Sequence, residues 1–302
     1  EIVSRDWSSD VCSSDLLRAP AGAGRWQDDP PVKKYVICIP DGCADLPVPD
    51  LDGRTPLDVA HMPVLASLAA RGTVGRAAVI PEGMAPGSDV GNMSILGFDP
   101  TEFHTGRAPI EVAAMGRSLR PDQTAFRCNL VVVRDGVMVD YAGGNPSDEE
   151  GAAVVAALEA ELAGAHEGVE FLAGVGFRNA MIAPGPWIEA DCTPPHDLSG
   201  DTIVNPSGPA GTVLTGLMEA SKDVLAGFDI EANQIWLWGQ GFQPQVPSFT
   251  DTHGVEAGLV TAVDLVRGIG VLSGMKVCDI RGATGWYDRS EEHTSELQSR
   301  ET

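Results

Sequence analysis

Residues 126–144, FRCNLVVVRDGVMVDYAGG, hold two β-rich runs joined by Arg134-Asp135-Gly136, and this feature constrains the fold most. A short Asp-Gly link between such runs makes an antiparallel hairpin, because the positive-φ turn it favours matches the twist of the strands. VEFLAGVGFRNAMIAPG (169–185) reads as a second antiparallel pair. Between them, SDEEGAAVVAALEAELAG (147–164) is an amphipathic helix, capped by Ser147 and carrying acids in its first turn. A further helix is expected over 208–225, so 121–232 reads as a compact α+β module.

The flanking sequence has a different style. KKYVICIPDG (33–42) is a β-branched apolar run closed by a turn, expected as a buried strand. Thr55-Pro56-Leu57-Asp58 is a helix start, and Pro63 opens another helix that Gly72 should stop. TVGRAAVIP (73–81) reads as a strand, and helices are expected near 89–96 and 109–117. After the module come a strand QIWLWGQG (234–241), a helix over 255–274 and a strand MKVCDIRG (275–282). Strands alternating with helices give an α/β fold with a parallel-sheet core. The expected organisation is core over 33–120, inserted α+β domain over 121–232, and core again over 233–288. A cleft between two such domains is a common place for a ligand.

The ends read differently again. Residues 6–16 (DWSSDVCSSDL) and 289–299 (RSEEHTSELQS) resemble translations of the two strands of a sequencing adapter. Residues 1–32 are therefore expected to be a non-native or flexible lead-in, and 289–302 an adapter-like tail.

Twenty basic against 43 acidic residues give a net charge of −23, which argues against unaided nucleic-acid binding. A phosphorylated small molecule stays compatible, since a metal can supply positive charge locally. No run is long enough for a transmembrane helix and no secretory signal is expected, so the expected location is cytoplasmic, with reduced cysteines.

Several residues suit chemistry. Asp41 sits where the first expected strand ends, beside Gly42, a place that suits a metal ligand, although spacing alone favours an Asp-Gly turn. Ser88, in a glycine loop running into a helix, suits a nucleophile at phosphorus and equally an N-cap. Arg107 and Arg127 could fork a phosphate or carboxylate, and each also suits a salt bridge; the same holds for Arg178. His196 and Asp197 could relay a proton or bind substrate, or simply close an exposed turn. Trp236 and Trp238 alternate in a strand and read as core.

Several words occur in order: Asp41-Gly42, DGRTPLD (52–58), PGSDVGNMSILGFDP (86–100) and TGRAPIE (105–111). FRCN (126–129), PHDLSGD (195–201), WLWGQG (236–241), AVDLVRGIG (262–270) and RGATGWYD (281–288) follow. Over about 33–288 the chain resembles the archaeal-type cofactor-independent (2,3-bisphosphoglycerate-independent) phosphoglycerate mutases of the alkaline phosphatase superfamily. That resemblance implies an alkaline-phosphatase-like parallel-sheet core, incomplete here, with an inserted substrate domain. It further implies two divalent metals (Mn, Mg or Zn) and a small phosphorylated substrate. The implied reaction interconverts 3- and 2-phosphoglycerate, a glycolytic step, through a metal-bound phosphoserine. By the same resemblance Asp41 is a metal ligand, Ser88 the nucleophile and a metal ligand, and Arg107, Arg127, His196 and Asp197 lie near the substrate. The family's other metal ligands follow the GATG-type turn, where this chain meets the adapter-like tail. The chain as written is therefore expected to be inactive or nearly so. Two other readings remain: a homoserine kinase-like phosphotransferase, and a non-catalytic metal-binding or interaction domain.

Overall fold

The computed structural model describes residues 34–40 and 43–280. The chain divides into two compact units, Glu1–Ala77 and Ala78–Thr302.

In the first unit, a 3-10 turn (Pro49–Leu51) precedes helices α1 (Pro56–Val59) and α2 (Pro63–Arg71). The expected helix start forms as a capping box: the Asp58 N–H donates to Thr55 Oγ1 at 3.2 Å and the Thr55 N–H to Asp58 Oδ2 at 2.9 Å. Gly72 caps α2 as expected. The two strands expected over 33–42 and 73–81 do not form among the described residues, which corrects the reading of those runs. Tyr35 and Val36 are 76% and 84% exposed. An apolar run becomes a strand only when a neighbour completes its hydrogen-bond ladder, and no described strand pairs with either run.

The second unit opens with α3 (Ser88–Ile95), α4 (Pro100–Phe103) and α5 (Ala108–Ala114). The hairpin β1 (Gln123–Arg134) and β2 (Val137–Asp140) follows, then α6 (Asp148–Leu162), β3 (Glu170–Val175) and β4 (Arg178–Pro184). Next come α7 (Gly211–Leu225), β5 (Gln234–Gly241), α8 (Phe249–His253), β6 (Gly258–Val260), α9 (Asp264–Leu272) and β7 (Lys276–Cys278). The hairpin turn is as read: Asp135 and Gly136 have φ of 52° and 75°, the left-handed region an Asp-Gly turn supplies. Ser147 caps α6, its Oγ accepting from the Glu150 N–H.

The fold is mixed α/β with a mostly antiparallel main sheet. β1 is its centre, paired with β4 from Gln123↔Pro184 to Asn129↔Arg178. On its other edge β5 pairs with Ala125–Val131 and β2 takes over at Val132–Arg134; β3 lies beyond β4. β5 comes after residue 232 in the chain and belongs to this same sheet. Among the described residues the parallel ladder is that of β6 and β7, and an isolated parallel bridge joins Met138 to Ser199. The helix expected over 255–274 begins only at Asp264, since Gly258–Val260 is drawn into the ladder with β7.

Side chains alternate across β1. Phe126, Cys128 and Leu130 point into the main core with Met181, Val154 of α6 and Leu214 of α7. Ala125 faces the other way, toward Ala108 and Val112 of α5. Arg127, two residues on, shares that second face. A third cluster joins Met93 of α3, Ile110 of α5 and Leu265 of α9. Gly268 permits this contact, because a Cβ there would lie 1.9 Å from the Ile110 carbonyl oxygen. No helix among the described residues is long and apolar enough to cross a membrane. Cys38, Cys43, Cys128 and Cys192 carry free thiols.

Candidate functional site

The site is built where the segment leading into α5 crosses β5. Gly106 has φ 147°, and a Cβ there would sit 2.0 Å from the Gln240 carbonyl oxygen. The Thr105 hydroxyl donates to the Phe242 carbonyl at 2.6 Å, and the Thr124 hydroxyl to that of Gly241 at 2.9 Å. This crossing sets Arg107, the residue that leads into α5, against β5.

Arg107, Arg127 and Glu111 meet there. Arg107 Nε donates to Glu111 Oε1 at 3.2 Å, and Arg127 Nε lies 2.7 Å from Oε2 of the same carboxylate. The second approach is an ion pair whose N–H is not aligned for a hydrogen bond. Both guanidinium groups lie over Trp238, with Cζ at 4.6 Å (Arg127) and 5.7 Å (Arg107) from the ring centroid. Trp238 Nε1 donates to Asn129 Oδ1 at 3.1 Å, which holds the indole in place. Burial pushes Arg127 down to about 10; Glu111 opposes that, while Arg107 and Arg178 reinforce it. Among the described residues, no hydrogen bond engages the Nη atoms of Arg107 or Arg127.

His196 stands at the edge of Trp238, ring centroids 5.2 Å apart, and near Tyr141 at 6.2 Å. It lies in a 3-10 turn, Pro195–Leu198, and its Nε2 is 3.6 Å from Asp197 Oδ1. Burial holds His196 below its ordinary value; Arg107 and Arg127 act in the same direction and Asp197 against them. Four residues singled out in the sequence, Arg107, Arg127, His196 and Asp197, are thus brought into one cluster.

Ser88 is the first residue of α3, with Gly87 as the N-cap, so it does not serve as the cap. It is half-buried, and its carbonyl accepts from Asn92 Nδ2 at 2.7 Å. Its neighbour Asp89 is buried and pairs with His104 Nε2 at 2.8 Å. Burial acts to raise the Asp89 carboxyl, but the His104 hydrogen bond and charge, together with Arg107, hold it below the ordinary range. Arg107 therefore acts electrostatically on the turn that carries Ser88 as well as on the cluster. Asp41 lies outside the described residues.

No group of three or more His, Cys, Asp or Glu able to hold a metal ion gathers among the described residues. Those residues do not fit a two-metal centre.

The sequence reading missed two members of the cluster. Glu111 is i+4 from Arg107, a helical spacing that announces an ion pair. Trp236 is core as read, fully buried, but Trp238 is both buried and the floor beneath two arginines.

Fold and site define a mixed α/β protein with a two-arginine cluster suited to a small anion. The sequence model of the family described as 2,3-bisphosphoglycerate-independent phosphoglycerate mutase matches residues 69–230. A mutase of that name from Methanosarcina acetivorans is 41% identical over 272 residues, 86% of this chain and 68% of the relative. A probable one from Geobacter sulfurreducens is 39% identical, with the same coverage of 86% and 68%. The solved PH0037 protein of Pyrococcus horikoshii superposes with a TM-score of 0.60 at 26% identity, covering 86% of this chain and 66% of that one. The chain belongs to the 2,3-bisphosphoglycerate-independent phosphoglycerate mutase family, and it spans about two thirds of the length of these relatives.

Proposed function

We propose that the chain binds phosphoglycerate at the cluster of Arg107, Arg127, His196 and Asp197, and that Ser88 accepts the phosphoryl group in interconverting 3- and 2-phosphoglycerate. Arg127 carries this reading. It is a 5% exposed cation, still charged at neutral pH, with its Nη atoms hydrogen-bonded by none of the described residues. A buried charge is costly unless paired and hydrogen-bonded, and an incoming phosphate or carboxylate completes both. The chain as a whole is strongly acidic, so attraction for such a substrate has to be local.

In the reaction, Ser88 Oγ forms a bond to phosphorus as the bond to the substrate's 3-oxygen breaks. The serine proton ends on the freed 3-hydroxyl. The return step forms the bond from phosphorus to the 2-oxygen as the Ser88 Oγ–phosphorus bond breaks, and the proton of the 2-hydroxyl passes to Ser88 Oγ. Family membership and the influence of Arg107 on Asp89, beside Ser88, support this role. The family resemblance calls for divalent metals; the described residues gather no ligand set for them, and Asp41 lies outside those residues. A substrate of this kind supports a cytoplasmic location.

Isothermal titration with 3-phosphoglycerate tests the binding half independently of turnover. Arg127→Met should weaken binding roughly 10- to 100-fold, the loss of one or two charge-assisted contacts. Unchanged affinity in that variant sinks the reading. Binding of homoserine in place of phosphoglycerate would favour a kinase.

A further inference from the structure

Glu111 is as buried as Arg127 and touches two cations at once, with Oε1 on Arg107 Nε at 3.2 Å and Oε2 on Arg127 Nε at 2.7 Å. A carboxylate inside an anion-binding cluster is at first sight counterproductive, because it repels the ligand. Its placement resolves this. It occupies the Nε flank of both guanidinium groups, while Trp238 covers one face of each. What no described residue hydrogen-bonds on either arginine is the Nη edge, the edge that forks an oxyanion. α5 is itself held by packing against α9 at Gly268, so the carboxylate sits on a fixed base.

We propose that Glu111 is a positioning residue: by holding Arg107 and Arg127 through their Nε flanks, it turns both Nη edges toward a single anionic group of the ligand. This rests on the reading of the cluster as the substrate site. Glu111 lowers the positive charge of the site and raises its affinity by fixing geometry.

Charge and geometry therefore predict opposite signs for one substitution. Glu111→Gln removes a negative charge beside two arginines, so electrostatics alone makes anions bind more tightly. Positioning makes them bind more weakly, and the expected loss is roughly tenfold or more for 3-phosphoglycerate and for inorganic phosphate, each followed by titration calorimetry. Glu111→Asp keeps the charge but is one methylene too short to span both Nε atoms. It should lose affinity as well, with thermal stability close to that of the parent, and it decides the matter where the glutamine variant fails to fold. Affinity equal to or tighter than the parent's in a folded variant overturns the proposal. Where neither variant folds, NMR of the parent decides. Phosphate should shift the Trp238 indole N–H and leave the Nε–H signals of Arg107 and Arg127 in place; shifted Nε–H signals overturn the proposal. A parent that binds phosphate but not 3-phosphoglycerate removes the mutase reading and leaves Glu111 to be judged on the phosphate series. A parent that binds neither removes both.

Discussion

Leu130, Val131 and Val132 of β1 are at most 1% exposed, whereas Tyr35, Val36 and Ile37 stand 76%, 84% and 58% exposed. The two runs are alike in composition, short and β-branched, and either would serve as a buried strand. The difference lies in their partners. β1 has β4 along one edge and β5 and β2 along the other, with α6 and α7 closing one face and α5 the other. No described strand pairs with residues 34–40. Strand formation is thus decided less by the run than by what arrives beside it, because the ladder and the covering layer are both non-local.

The largest expected effect tests that contrast directly. Trp236 is fully buried in the main core, and its Nε1 donates to the Thr193 carbonyl at 2.9 Å. Trp236→Ala should cost about 3–5 kcal/mol, from lost burial plus a cavity. Val36→Ala, at an 84% exposed position, should cost no more than about 0.5 kcal/mol. Urea unfolding followed by circular dichroism measures both. A cost for Val36→Ala comparable to that of Trp236→Ala would mean that the exposed run is packed after all, and the contrast would collapse.

Local signals carried most of what could be read from the sequence. The Arg-Asp-Gly turn, the Thr55 and Ser147 caps and the Gly72 stop each depend on residues within a few positions of one another, and each formed where expected. The strands over 33–42 and 73–81 failed for the opposite reason, since their ladder partners cannot be inferred from the runs themselves. The site shows the same division. Arg107, Arg127, His196 and Asp197 stood out through short motifs. Glu111 did not, being one carboxylate among 43 acidic residues, with its second partner Arg127 on a different element. Trp238 has the alternation of a core residue, and nothing local says that two arginines lie over it.

Capping gives the next effect in size. Ser147 caps a helix of 15 residues whose Val154, Val155 and Leu158 are buried in the main core, so Ser147→Ala should cost about 1 kcal/mol of the second unit's stability. Thr55 makes the same box on a helix of only four residues with no buried side chain. Its loss should be felt less, because little packing depends on that helix. Equal costs in the two alanine variants, measured by the same unfolding experiment, would show that the cap acts alone and not through the core behind it.

The smallest effect separates the site face of the sheet from its packed face. Burial sets His196 below its ordinary value of about 6.5, with Arg107 and Arg127 adding to the shift and Asp197 resisting it. In that window the unfolded chain binds more protons than the folded one, so stability rises with pH. The contribution is fully present above about pH 6.5 and is lost as pH falls through the lower folded value. Asp89 has the same sign but acts below the ordinary carboxylate range, so the two do not overlap. A bound anion reverses the pull on His196, favouring the imidazolium, so sulfate, whose own charge is constant over this range, should bind more tightly as pH falls from 7 toward 5.5, with proton uptake. His196→Gln should flatten both the stability slope and the affinity slope in this window. A slope that survives in the glutamine variant would assign the proton to another group and detach His196 from the arginine cluster.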